Sequence, residues 1–265
     1  MRGENSGENL YSSSDMKPLI TSLLFLCLAA AAFGQVADQP LSDANEVMAR
    51  VFLRDTQRES QSGGYAGHRR YVFDNEKMHK HAELVVDVLC ETNGTKHFNV
   101  IAEDGWKSAH KHVLKKMLES ESETSTPEVR PQTRLIAENY TFTLVKSEVV
   151  DDRLTYVIDV TPKRRDKYLM EGRVWIDAQD FAMVRAEGQP ARNPSFWTKS
   201  IHFVQQYRKS GSYWFPASTL SVTEARIFGT TKVNINYFDY EPNAGPDLNA
   251  RRSTVHLQEV SHVTN

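Results

Sequence analysis

Between residues 82 and 240, apolar and polar side chains alternate in short runs, separated mostly by a few turn-forming residues. A period of two marks strands with one buried face. Short connections make neighbouring strands antiparallel, because a parallel pair needs a crossover of a dozen or more residues. In 82–90, Ala82, Leu84, Val86, Val88 and Cys90 share one face, while Glu83, Asp87 and Glu91 point the other way. Asn93-Gly94 supplies a hairpin turn, and Phe98 and Val100 share a face of the next strand, about 96–102. Tyr140, Phe142 and Leu144 alternate with threonines. Asp151-Asp152 then turns the chain into Leu154, Tyr156, Ile158 and Val160. Met170, Val174 and Ile176 form the next inward set, and Ala178-Gln179-Asp180 leads into 181–187. After a loop, 189–198, come strands at 201–207, 213–221 and 231–237.

About ten strands result, with no βαβ rhythm. The fold class is mainly β (α+β): a strongly curved antiparallel sheet, since so many strands curl. Two stretches break the alternation and predict helices to cover the concave face. Asp43 opens one that runs to Gln61, with Ala44, Val47, Met48, Val51 and Phe52 on its apolar stripe and a capping box at Asp43 and Glu46. The other runs from Trp106 to Glu121, with Ala109, Val113 and Met117 at i, i+4, i+8 beside Leu114 and Leu118. The polar stretch 119–132, with Pro127 and Pro131, reads as a mobile loop.

The concave face would carry Leu84, Val86, Phe98, Phe142, Leu144, Tyr156, Ile158, Val174 and Val233, with Val113 and Met117 on a lid helix. Helices that seal this face make an ordinary core. Helices that cover it loosely leave a hydrophobic groove suited to an acyl chain. Pattern alone leaves both open.

Ahead of the strands, Leu19–Phe33 is an apolar run of about 15 residues, short of the roughly 20 that span a bilayer. Lys17 precedes it and Ala32-Phe33-Gly34 follows the small-x-small rule, which predicts a signal peptide, 1–34, cleaved before Gln35. Glu4, Glu8 and Asp15 are wrong for its basic start, so Met16 is the expected initiator. The alternative is an uncleaved anchor. Phe25 and Leu26 before Cys27 argue against lipid attachment there, and cleavage leaves Cys90 as a buried, inert thiol. The expected product is a periplasmic or secreted domain, 35–241, followed by a polar tail, 242–265.

Net charge of −2 excludes the basic footprint of a nucleic-acid binder and gives no support to a polybasic membrane patch. Enzyme motifs are absent: there is no G-x-S-x-G, P-loop, G-x-G-x-x-G or H-E-x-x-H. His79 and His81 share a face only on a strand, His110 and His112 diverge on a helix, and no set of three or four ligands converges for a metal. Asp151, Asp152, Asp177 and Asp180 fall at turns, where the side chain bonds to nearby backbone. No opposed pair fits a glycosidase. Trp175, Trp197, Trp214, Tyr207, Tyr213, Tyr237 and Tyr240 either line a ligand site or pack across strands. Lys163-Arg164-Arg165-Asp166-Lys167 is a basic turn that meets lipid headgroups, an acidic partner or only solvent. The sequons at Asn93 and Asn139 both fall where strands are expected.

Gly172-Arg173-Val174-Trp175-Ile176-Asp177, followed by Phe181–Gly188, resembles the central hairpin of the LolA-like family, periplasmic proteins of the lipoprotein-sorting type. Tyr207–Pro216 is similar to that family's Tyr–Gly–Trp–Pro hairpin, Val233–Tyr240 to its last strand, and the early helix with Arg70-Tyr71 to its start. The resemblance spans most of 43–241. It implies an incomplete β-barrel with helices in its mouth and a cavity for lipid or lipoprotein acyl chains. A related branch senses envelope stress by binding proteins. The Pro-containing loop 189–198 and the charged 119–130 segment depart from the dedicated carrier. The expectation is an exported monomeric binding protein, not an enzyme, with no cofactor and no metal. The alternative is an envelope sensor that contacts membrane proteins through 189–198 and 163–167.

Overall fold

The computed structural model describes residues 43–242. The expected signal peptide, its cleavage site, Cys27 and the tail from 243 onward lie outside them.

Ten strands form one antiparallel sheet: β1 (Tyr65–Asn75), β2 (Lys80–Cys90), β3 (Lys96–Gly105), β4 (Tyr140–Val150), β5 (Arg153–Pro162), β6 (Met170–Asp177), β7 (Met183–Pro190), β8 (Thr198–Ser210), β9 (Tyr213–Ala225) and β10 (Gly229–Pro242). Their order is β3-β2-β1-β10-β9-β8-β7-β6-β5-β4. One junction joins strands distant in sequence: β10 returns to pair with β1, Phe73 opposite Val233 and Tyr71 opposite Ile235. β3 and β4 remain edges, so the sheet is open.

β1 is the strand that alternation does not single out. Its buried positions are Gly67, Arg69, Tyr71, Phe73 and Asn75, so a glycine, an arginine and an asparagine hide the period of two. Turn chemistry follows local rules elsewhere. Thr95 N–H donates to Asn93 Oδ1 at 2.7 Å, and Asp177 Oδ1 accepts from Gln179 N–H and Asp180 N–H.

Helix α1 (Ala44–Ser62) starts at Asp43, whose carboxylate accepts from Asn45 N–H at 2.9 Å, and ends at Gly63 in the left-handed region. The capping box does not close, because Glu46 pairs with Arg50 instead. The helix buries Ala44, Val47, Met48 and Val51 against Tyr140, Phe142, Tyr156, Ile158, Val174 and Ile176. Phe52 stays exposed.

Helix α2 is continuous over 107–125, made of Lys107–Ala109, a π-helical turn His110–Leu114, and Lys115–Ser125. It buries Ala109, Leu114 and Leu118 against Tyr71, Leu84, Val86, Val88, Val233 and Ile235. The reading of 119–132 as a loop is corrected. The helix continues to Ser125, and a short α3 (Arg130–Thr133) follows. Polar residues extend it because Glu121, Ser122, Glu123 and Ser125 meet polar partners. Ser122 Oγ donates to the Lys96 carbonyl at 3.0 Å, and Lys96 N–H donates to Ser125 Oγ at 2.8 Å, which pairs the free edge of β3. β1, β2, β3 and β10 thus share one core with α2, and β4–β7 share another with α1.

Candidate functional site

β8 and β9 contribute to neither of these two cores. Over them, between the C-terminal ends of α1 and α2, lies a pocket of about 570 Å³, within the size range of ligand sites. Its sheet wall is aromatic: Tyr65, Tyr207, Tyr213, Phe215 and Tyr237. Phe215 organises it, with its ring centroid 5.7 Å from Tyr65, 5.9 Å from Tyr213 and 4.9 Å from Tyr240.

Two hydroxyls of this wall are tied down. Tyr207 Oη donates to Gln205 Oε1 at 2.8 Å, and Gln205 Nε2 donates to Tyr237 Oη at 3.3 Å. Tyr237 Oη also lies 3.0 Å from Thr219 Oγ1. Burial pushes the phenols of Tyr207 and Tyr237 above their ordinary range, so they are neutral.

Arg69 lies at the pocket's inner end, 1% exposed. Its guanidinium donates to both carboxylate oxygens of Glu121, at 2.6 and 3.1 Å. It also donates to Tyr240 Oη and Tyr71 Oη and lies 4.8 Å from the Tyr237 ring centroid. Lys96 Nζ reaches the same Glu121 at 2.7 Å. Burial alone would raise the Glu121 carboxyl, but the two cations outweigh it and hold it at about 2. Burial likewise works against the charged Lys96, and Glu121 overrides it, raising the ammonium above its usual value.

A second charged group sits at the mouth. Arg134 Nη2 lies 2.7 Å from Glu59 Oε2, and Arg130 pairs with the same carboxylate. Asp55 beside them is half exposed and 3.0 Å from Arg58; partial desolvation pushes it up to about 6, with Arg58 pulling the other way and Glu59 adding to the rise. Cys90 also lines the pocket, and burial raises its thiol, which leaves it protonated and poorly nucleophilic. No histidine lines the pocket.

The nine residues expected on the concave face divide between the two cores. Leu84, Val86 and Val233 lie under α2, with Phe98 half-buried beside them. Phe142, Tyr156, Ile158 and Val174 lie under α1, with Leu144 half-buried at their edge. Val113 and Met117 pack half-buried on the α2 core. None of these lines the pocket. Of the aromatic set, Tyr207, Tyr213, Trp214 and Tyr237 line it and Tyr240 backs it. Trp175 packs elsewhere with Val157 and Val184, and Trp197 is exposed. Sequence reasoning missed Arg69, Lys96, Glu121, Asp55 and Tyr65. One signal was available for Arg69: its spacing of two residues from Tyr71 and four from Phe73 puts it on the inward face.

Among the described residues no group of three or more His, Cys, Asp or Glu is placed to hold a metal ion. His110 is buried and its Nε2–H donates to the Asp104 carbonyl at 2.8 Å, while His81 pairs with Asp74 at the surface. No described helix is long and apolar enough to cross a membrane.

Residues 123–240 match a family of unknown function, DUF5686. No curated protein matches the chain. Among solved structures it is similar to a LolA-superfamily protein of Nitrosomonas europaea, at 11% identity and TM-score 0.44, over 77% of this chain and 95% of that one. It is also similar to a domain from Vibrio parahaemolyticus described as outer-membrane lipoprotein-sorting, at 16% identity and TM-score 0.42, over 80% and 99%. A third is MucB of Pseudomonas aeruginosa in its complex with MucA, at 10% identity and TM-score 0.27, over 77% and 100%.

Proposed function

We propose that this chain is an exported binding protein, not an enzyme, that holds an acyl chain of a lipid or lipoprotein in the pocket over β8–β10, in the service of lipid or lipoprotein sorting at the outer membrane. The observation that carries this reading is the wall of Tyr65, Tyr213, Phe215 and Tyr237 facing a pocket of about 570 Å³. The tied phenols of Tyr207 and Tyr237 present ring faces to a chain without demanding a partner from it. Arg69, Lys96 and Glu121 neutralise most of one another's charge at the inner end, and Arg58 and Arg130 pair with Asp55 and Glu59 at the mouth, so the lining carries little net charge.

The nine concave-face residues join the site only when a helix lifts. α2, through Val113 and Met117, is the proposed lid, because its core is the one that borders β10. Lifting it would extend the pocket toward Leu84, Val86 and Val233.

The test is organic extraction of the purified protein followed by mass spectrometry, with uptake of a fluorescent fatty acid measured in parallel. Co-purified lipid and saturable uptake support the reading, with Phe215→Ser weakening uptake at least tenfold. Repeated absence of both sinks it.

A further inference from the structure

We propose that one end of the sheet, formed by the turns at 76–79, 163–169, 191–197 and 226–228, is a docking surface for a bilayer rich in anionic phospholipid. Antiparallel register places these four turns at one end. Asn75 pairs with Thr231, Met170 with Pro190, and Thr198 and Gly229 both with Ala225.

The net charge of −2 conceals a strong polarity along the strands. The turns at this end carry Lys77, Lys163-Arg164-Arg165, Lys167, Arg192 and Arg226 against only Glu76 and Asp166. The strand turns at the opposite end, 91–95, 151–152, 178–182 and 211–212, carry Glu91, Asp151, Asp152 and Asp180 and no lysine or arginine. The sum of charges gives no support to a basic membrane patch because it takes no account of their placement.

Apolar side chains stand at the same end. Phe196 is 75% exposed, and Trp197, Ile227 and Phe228 are each about half exposed. Single exposed apolar residues are ordinary, but these four occupy two turns bound to each other. Arg226 N–H donates to the Trp197 carbonyl and Arg226 Nε to the Phe196 carbonyl, both at 3.0 Å. The Arg226 guanidinium lies 5.1 Å from the Phe196 ring centroid. Lys77 Nζ donates to the Ile227 carbonyl and Asn75 Nδ2 to the Phe228 carbonyl, each at 3.0 Å. The turns are therefore held in place by bonds to their backbone, which leaves the rings outside.

Phenylalanine and tryptophan on projecting turns, set beside lysine and arginine, match a membrane–water interface, where rings enter the headgroup level and cations meet lipid phosphates. An acidic protein would satisfy the cations but would need its own apolar seat for the Phe196–Trp197 pair, whose ring centroids lie 5.5 Å apart, and for Ile227 and Phe228, whereas a bilayer supplies one to any projecting ring.

The experiment reads Trp197 directly. The purified full chain is mixed with vesicles of phosphatidylcholine alone or with one-third phosphatidylglycerol, both containing brominated acyl chains. Co-sedimentation and quenching of tryptophan emission are then measured. We expect at least tenfold tighter binding to the anionic vesicles, and a quenched component that vanishes in Trp197→Phe. A triple variant Arg165→Glu, Lys167→Glu, Arg192→Glu, and separately Phe196→Ser with Phe228→Ser, should each weaken binding at least tenfold with unchanged circular dichroism. Equal binding to neutral and anionic vesicles, binding without the Trp197-dependent quenching, or association with an acidic protein but with neither vesicle would overturn the proposal.

Discussion

Arg69 Nη1 donates to Glu121 Oε2 at 2.6 Å, and through this contact β1 is fastened to the last turns of α2. The guanidinium is buried and bonded to two phenols as well, so its charge has one anionic partner within reach.

Removing that partner leaves a buried cation unpaired. Glu121→Ala is expected to destabilise the protein by about 3 kcal/mol, read as a lowered urea midpoint. Glu121→Gln, which keeps one acceptor for Arg69, should cost less.

The same pair sets an acid dependence. The folded Glu121 carboxyl is held at about 2, against 4.5 for an ordinary glutamate. A depressed carboxyl contributes its stability in full above the unfolded value and loses it as pH falls toward the folded one. Stability should therefore drop between about pH 4.5 and 2 more steeply in the native chain than in Glu121→Gln, measured by denaturant titration at each pH.

Asp55 shifts the other way. Pushed up to about 6, it is ionised at neutral pH and neutral below that value. If the pocket takes an anionic amphiphile past Asp55, uptake should strengthen as pH falls from 7 to 5, and Asp55→Asn should flatten that dependence. A profile unchanged by the substitution would remove Asp55 from the binding site.

Gly172 and Gly188 face each other across β6 and β7. A Cβ on Gly172 would lie 2.1 Å from the Glu187 carbonyl oxygen and 2.6 Å from Gly188 Cα. Both neighbours are backbone, so neither can yield by a rotamer change. Gly172→Val should lower stability by about 2 kcal/mol or more, with loss of soluble yield as the first sign.

Leu114, fully buried at the end of the π turn, anchors α2 on its core. Leu114→Ala should cost about 2–5 kcal/mol. A lid role for α2 further predicts faster fatty-acid exchange in this variant, measured by stopped-flow fluorescence.

Much of the fold was legible in the sequence. Leu84–Val86–Val88 and Tyr156–Ile158–Val160 announce their strands because the period of two is a local property. The Asn93-Gly94 turn and the Asp43 cap are equally local. β1 was obscured because its inward positions include Arg69, and the last turns of α2 because Glu121, Ser122 and Ser125 look like loop residues. Both departures have one cause: these polar side chains satisfy each other and the edge of β3, partners that lie distant in sequence.

Alternation and turn chemistry by themselves determined an antiparallel sheet of about ten strands with two covering helices, since each follows from neighbours along the chain. Only the tertiary structure decided where the covering stops. The helices cover two apolar clusters, on β1–β3 with Val233 and Ile235 of β10 and on β4–β7, and leave the aromatic residues of β8, β9 and the end of β10 facing a pocket, which depends on where each helix lands and not on hydrophobicity. The same holds for charge. A sum of −2 is a property of composition, but the separation of basic from acidic turns arises because antiparallel pairing sends alternate turns to opposite ends.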